Sequence, residues 1–143
     1  MDISGNLLFE DDIHNLAQAL EINYSLKSLH LESCNITDVG LEYLANSLQH
    51  NNSLKELDLG NLRTPDLFIF MYPNIISKEG ISAVTENFKK NHYLLKIVLP
   101  TNSNEMSSIS AMQEAINEHI EITGNIFSSV PIHIYGYCVV LCS

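Results

Sequence analysis

Six histidines and three cysteines are the side chains of this 143-residue chain best suited to bind a metal or act as a nucleophile. They do not assemble along the sequence. His14, His30, His50, His92, His119 and His133 share no metal-ligand spacing with one another. His133, Cys138 and Cys142 offer three ligands close together, but the intervals are not those of a zinc finger or ribbon, and a fourth ligand is missing. There is no Gly-rich phosphate loop, no nucleophile elbow and no paired zinc-binding histidine motif. The sequence therefore assigns no catalytic residue, no metal and no cofactor. What remains is recognition by surface side chains, and which of these share a face depends on the elements that carry them.

Those elements come from an internal repeat. Leu26, Leu29, Leu31, Cys34, Ile36, Gly40, Leu41, Leu44, Leu48 and Asn51 form one unit, and Leu54 restarts it, which sets a period of 28 from Leu26. The second pass runs Leu54, Leu57 and Leu59, then Asn74, Ile76, Gly80, Ile81, Val84, Phe88 and Asn91, and restarts at Leu94, a spacing of 40. Twelve extra residues therefore lie within 60–73. The third pass is Leu94, Ile97, Leu99, Asn102, Ile109, Met112, Ile116 and His119, which reaches Ile122 with a period of 28. Before the first unit, Leu8, Asp12, Ile13, Leu16, Leu20 and Asn23 match its helical half, whereas nothing before Leu8 supplies a strand.

Each Leu-x-x-Leu-x-Leu run ends in an alternation that puts two leucines on one face of a short strand. Leu41, Leu44 and Leu48 follow the three-to-four spacing of one helical stripe. Thr37 and Ser77 precede the helices as N-caps, and Asn23, Asn51 and Asn91 follow them as C-caps, a place where Asn tolerates the left-handed conformation. Cys34, Asn74 and Asn102 share the turn after the strand, where they satisfy buried backbone groups. No unit can bury its apolar sides alone, so neighbours must stack into a common core. The fold class is α/β: a short right-handed solenoid with a parallel sheet on the concave face and helices on the convex face.

This pattern resembles the ribonuclease-inhibitor-like leucine-rich repeats, also found in the sensor arms of NOD-like receptors and in bacterial effectors. The resemblance rests on Leu26, Leu29, Leu31, Cys34, Ile36, Gly40, Leu44 and Leu48 with their partners one period on. It implies protein binding through the strand face and no catalysis by the repeats. The domain spans residues 1–127, about three and a half repeats, near the lower limit for independent stability. Its last strand, Ile122-x-x-Asn125-x-Phe127, places Asn125 at a core position. Residues 128–143 form an irregular cap or a remnant.

On this reading the concave face carries Ser28, His30 and Glu32 in one repeat, Glu56, Asp58 and Gly60 in the next, and Lys96, Val98 and Pro100 in the third. Strands about 4.8 Å apart put His30, Asp58 and Val98 in a row. Glu32, Glu56 and Asp58 make that face acidic and favour a basic protein partner. The insertion leaves at the rim and contains the apolar run Leu67-Phe68-Ile69-Phe70-Met71-Tyr72. Either Arg63, Phe68, Phe70 and Tyr72 are an exposed binding patch, or the segment folds back and buries itself.

Charge limits the partners. Seventeen acidic residues against seven Lys and Arg give a formal charge of −10, which repels nucleic acid. The adjacent pair Lys89-Lys90 complements a helix C-terminus. Three cysteines make no disulfide framework and point to a reducing compartment. The first residues lack the pattern of a secretory signal. The apolar stretch 126–142 is short and broken by Pro131, His133 and Gly136, so a partly buried end segment is favoured over a membrane span. The expected location is the cytoplasm, either of the producing cell or of a host cell that receives an effector. The oligomeric state is open, with pairing of two copies through the unfinished N-terminal sheet edge as one option. The leading function is a protein–protein interaction module. One alternative is a regulator of GTPases, since the Ran GTPase activators are similar to this repeat class and the insertion holds an arginine, Arg63, able to touch a nucleotide phosphate. The other is a truncated repeat protein with no task of its own.

Overall fold

The alternating leucines do form short strands and the three-to-four stripes do form helices. The computed structural model describes residues 1–62, 72–101, 106–116 and 120–126. Their elements alternate: α1 (Glu10–Ile22), β1 (Ser28–His30), α2 (Asp38–Leu48), β2 (Glu56–Asp58), α3 (Lys78–Lys90), β3 (Lys96–Thr101), α4 (Met106–Ile116) and β4 (Glu121–Ile126). The strands make one parallel sheet in the order β1-β2-β3-β4. The helices pack in the same order, α1 on α2, α2 on α3 and α3 on α4. This is the α/β solenoid that the repeat implies.

Register places Leu29 beside Leu57, Leu57 beside Ile97 and Ile97 beside Ile122. These residues form one layer of the core, with Leu31, Leu59 and Leu99 beside them. Ile13, Leu41, Leu44, Ile81, Val84 and Phe88 close the core from the helix side. Pairing is set by the leucines and not by chain length. The long second period and the shorter first one therefore end in equivalent strands.

Asparagines stitch the repeats together. Asn74 Oδ1 accepts from the backbone N–H groups of Cys34 (2.9 Å) and Ile36 (2.8 Å), one repeat back. Its Nδ2 donates to the carbonyls of Leu31 and Leu59, both at 2.8 Å. Asn51 Oδ1 accepts from Ser53 N and Leu54 N, while its Nδ2 donates to Leu20 O and Asn23 O in the preceding repeat. Asn91 repeats the device with Tyr93 N, Leu94 N, Leu48 O and Asn51 O. The sequence expectation for these helix ends needs correction. Asn23 (φ −83°, ψ 126°) and Asn91 (φ −85°, ψ 120°) are extended and not left-handed, and their backbone N–H groups cap the helices by donating to Leu20 O and Phe88 O, while α2 ends at Gln49, ahead of Asn51. Asn51-Asn52-Ser53 also has the spacing of an N-glycosylation acceptor, but Asn51 is 2% exposed and its amide is engaged in the bonds to Leu20 O and Asn23 O. Asn102 and His119, at the equivalent places further on, lie outside the described residues.

Three other expectations change. The N-terminal edge of the sheet is not bare: Asp2 bridges His30 in parallel, with Ile3 N–H donating to His30 O and His30 N–H donating to Met1 O. The outer edge of β1 at His30 is thereby occupied, so the expected open edge for pairing two copies is covered there. The final period is shorter than expected, because Ile97 pairs with Ile122, where an unbroken period would bring Asn125. Asn125 therefore stands opposite Pro100 and not at a leucine position, and Gly124 faces Leu99. At the helix starts, Ser77 Oγ accepts from Gly80 N at 3.1 Å as expected. Thr37 occupies the cap position of α2 but makes no capping bond. Lys89 and Lys90 do lie in the last turn of α3, where Lys89 also pairs with Glu86 at 2.6 Å.

Candidate functional site

The outward positions of β1, β2 and β3 stand in two rows fixed by strand register. One row is Ser28, Glu56, Lys96 and Glu121 of β4, and the other is Asp2, His30, Asp58 and Val98, with Thr123 of β4 in register beside Val98. The row of His30, Asp58 and Val98 is thus as the repeat spacing places it. Asp2 and Glu121 are additions. Asp2 lies one full repeat period before His30, a signal present in the sequence without any leucine to mark it. Glu121 is hidden by the shortened final period.

In the first row Glu56 is paired with Lys96. Lys96 Nζ donates to Glu56 Oε1 at 2.9 Å, and this bond holds the Glu56 carboxyl below its ordinary range. Ser28 Oγ donates to Glu56 Oε2 at 3.4 Å and meets His30 Nε2 at 2.8 Å. The second row differs. Burial pushes the Asp58 carboxyl above its usual range, against the partial relief of a hydrogen bond from Gly60 N. Burial followed by the nearby Asp58 charge does the same to Glu32. Asp2 is shifted the other way by its hydrogen bonds with Ser4. Of the three acids expected to make the face acidic, Glu56 is paired with Lys96, and Glu32 and Asp58 stand together without a basic partner from Lys or Arg among the salt bridges of the described residues. One imidazole nitrogen of His30 and one carboxylate oxygen from each of these acids lie within 4.8 Å of one another.

Val98 keeps its place in the row but is only 7% exposed, standing between Asp58 on β2 and Thr123 on β4. It is not a surface contact residue, and Pro100 is buried as well. Cys34 is fully buried, its thiol donating to Ile3 O and pushed up by burial, as fits a structural turn residue.

The insertion has a fixed neck. Asn61 Oδ1 accepts from Asn74 N (2.7 Å) and Asn61 Nδ2 donates to Asn74 O (3.2 Å), closing the loop at its base. Leu62 N donates to Ser33 Oγ, and Asn35 N donates to Tyr72 O at 2.7 Å. Tyr72 is half-buried and bridges Cys34. Arg63, Phe68 and Phe70 lie outside the described residues, as do His133, Cys138 and Cys142.

Comparison with known proteins agrees with this geometry. A family described as leucine rich repeat matches residues 23–45. NACHT, LRR and PYD domains-containing protein 14 of the mouse is 40% identical over 65 residues, 45% of this chain and 6% of that protein. Human NACHT, LRR and PYD domains-containing protein 13 is 30% identical over 95 residues, 66% of this chain and 8% of that protein. The chain thus spans less than a tenth of the length of the curated relatives it matches. Among solved structures, the Leiomodin-1 Actin-Binding Site 2 superposes with a TM-score of 0.65 over 90% of this chain and 71% of that one. At 15% identity that likeness concerns the fold alone.

Proposed function

Because this chain is a leucine-rich repeat protein whose repeats are of the NOD-like receptor type, we propose that it is a non-enzymatic module that grips a protein partner on its strand face. The observation carrying this reading is the corner formed by His30, Glu32 and Asp58. Two half-exposed carboxylates are held together there with their acidities weakened, while the neighbouring Glu56 is already paired with Lys96. A basic side chain from a partner relieves that repulsion, which favours an Arg or Lys in the docked surface. Ser28, Glu56 and Lys96 form the polar margin of the same surface, and Arg63, Phe68, Phe70 and Tyr72 of the insertion are the further residues assigned to partner contact.

Affinity purification with the intact chain tests this. A partner captured by wild type should be lost, with tenfold or greater weakening, in a Glu32→Gln/Asp58→Asn variant. Phe68→Ser/Phe70→Ser should weaken capture without lowering the melting temperature if the insertion contributes contacts. A lower melting temperature with unchanged capture assigns those rings to self-burial. Capture that survives the double carboxylate substitution undiminished removes the strand face from the binding surface.

A further inference from the structure

The corner of His30, Glu32 and Asp58 has the composition of a metal site as well as that of a basic-residue receptor. His30 and Asp58 face each other across paired strands, about 4.8 Å apart in the sheet. Glu32 stands two residues further along on the same side as His30 and reaches back. The three ligand atoms fall within 4.8 Å of one another. Tetrahedral ligands at zinc distances of about 2.0–2.2 Å are about 3.3 Å apart, so small side-chain rotations complete the set. None of the three residues is fully buried, which leaves a path for entry and at least one coordination position for water.

A second observation singles out the imidazole. Ser28 Oγ lies 2.8 Å from His30 Nε2 and 3.4 Å from Glu56 Oε2, so one hydroxyl holds the ring by its Nε2 edge. With the hydroxyl donating to Glu56, Nε2 carries the ring proton and Nδ1 keeps the lone pair that a cation requires. A chain running from His30 to Ser28, Glu56 and Lys96 is the kind of outer-shell arrangement that orients a metal-binding histidine ring. On the other side, Gly60 N–H holds Asp58 Oδ1 at 2.9 Å and orients that carboxylate. Asp2, the register neighbour of His30, adds negative charge beside the trio.

We propose that His30, Glu32 and Asp58 bind one divalent transition-metal ion of the zinc class, with Ser28 and Gly60 orienting the ligands. Mixed imidazole and carboxylate donors favour Zn2+ over Mg2+ or Ca2+, which prefer oxygen ligands throughout. This goes beyond the partner-binding reading and does not depend on it, since the ion needs only groups of this chain.

The full chain carrying Cys138→Ser and Cys142→Ser is titrated with ZnCl2 by calorimetry, so that the C-terminal thiols do not compete. The His30 imidazole resonances are followed by NMR in parallel. The expected result is one ion per chain, with a shift of the His30 signals. Affinity should fall tenfold or more in Glu32→Gln and in Asp58→Asn, and about tenfold in Ser28→Ala. Glu86→Gln on α3 should leave it unchanged. Zinc should raise the melting temperature of the parent but not of Asp58→Asn, while both melt alike without metal. Unchanged affinity in the two carboxylate variants, or silent His30 resonances, overturns the site. Equal binding of Mg2+ overturns the assignment to the zinc class. Capture of a protein partner that survives Glu32→Gln/Asp58→Asn while zinc binding is lost in the same variant would instead reject the partner reading alone.

Discussion

Asn74 shows at the residue scale how a single polar side chain holds two repeats in step. It is 3% exposed and engages backbone groups of Leu31, Cys34, Ile36 and Leu59, besides the Asn61 clasp at the neck of the insertion. Removing the amide strands buried N–H and C=O groups that water cannot reach, at about 1–3 kcal/mol each. Asn74→Ala should therefore destabilise the chain by about 3 kcal/mol or more in urea unfolding. Asn52→Ala, an exposed neighbour of the Asn51 clasp, should change it by less than about 0.5 kcal/mol. If the two substitutions are equivalent, the amide is not what couples the turns.

Individual elements are joined through their ends. Asp38, in the first turn of α2, accepts from Ser77 N at 2.8 Å and Ser77 Oγ at 2.6 Å, so the start of one helix anchors the start of the next. Gly80 makes this possible. A methyl group there would lie 2.2 Å from Asp38 Oδ1 and 3.0 Å from its Cβ. Gly80→Ala would gain helix propensity, but it must rotate the Asp38 carboxylate away and forfeit both bonds. The net expectation is a loss of about 1–3 kcal/mol. Adding Asp38→Ala should shrink the further cost of Gly80→Ala to near zero, a coupling that a double-mutant cycle measures. Additive effects would show that the glycine serves some other purpose.

For the whole molecule, each repeat touches only its neighbours, so the cost of a cavity depends on where it lies along the stack. Leu57 is fully buried between Leu29 and Ile97, whereas Ile122 is 8% exposed on the last strand. Leu57→Ala should cost about 3–5 kcal/mol and Ile122→Ala nearer to about 2 kcal/mol. Against a typical domain stability of about 5–15 kcal/mol, the first approaches the limit of folding. Urea midpoints give the comparison, and equal losses would mean that β4 is as deeply held as β2. No helix among the described residues is long and apolar enough to cross a membrane.

How much was legible follows from what each feature depends on. Leucine spacing is a local property, and it determined the strands, the helices, their alternation and the core layer of Leu29, Leu57 and Ile97. It determined the row of His30 and Asp58 too, because register is dictated by the buried leucines that flank them. Other features needed the folded chain. Asp2 carries no apolar mark of a strand, and the final period contracts so that Ile122 takes the place expected of Asn125, which hides both ends of the sheet from linear reading. Burial of Val98 depends on neighbours that its own repeat does not name. The trio of His30, Glu32 and Asp58 is invisible to linear spacing because its members come from two repeats, and only parallel pairing brings side chains one period apart to within a few ångströms. Sequence sets what each repeat must bury, while tertiary pairing decides which polar groups are left facing one another.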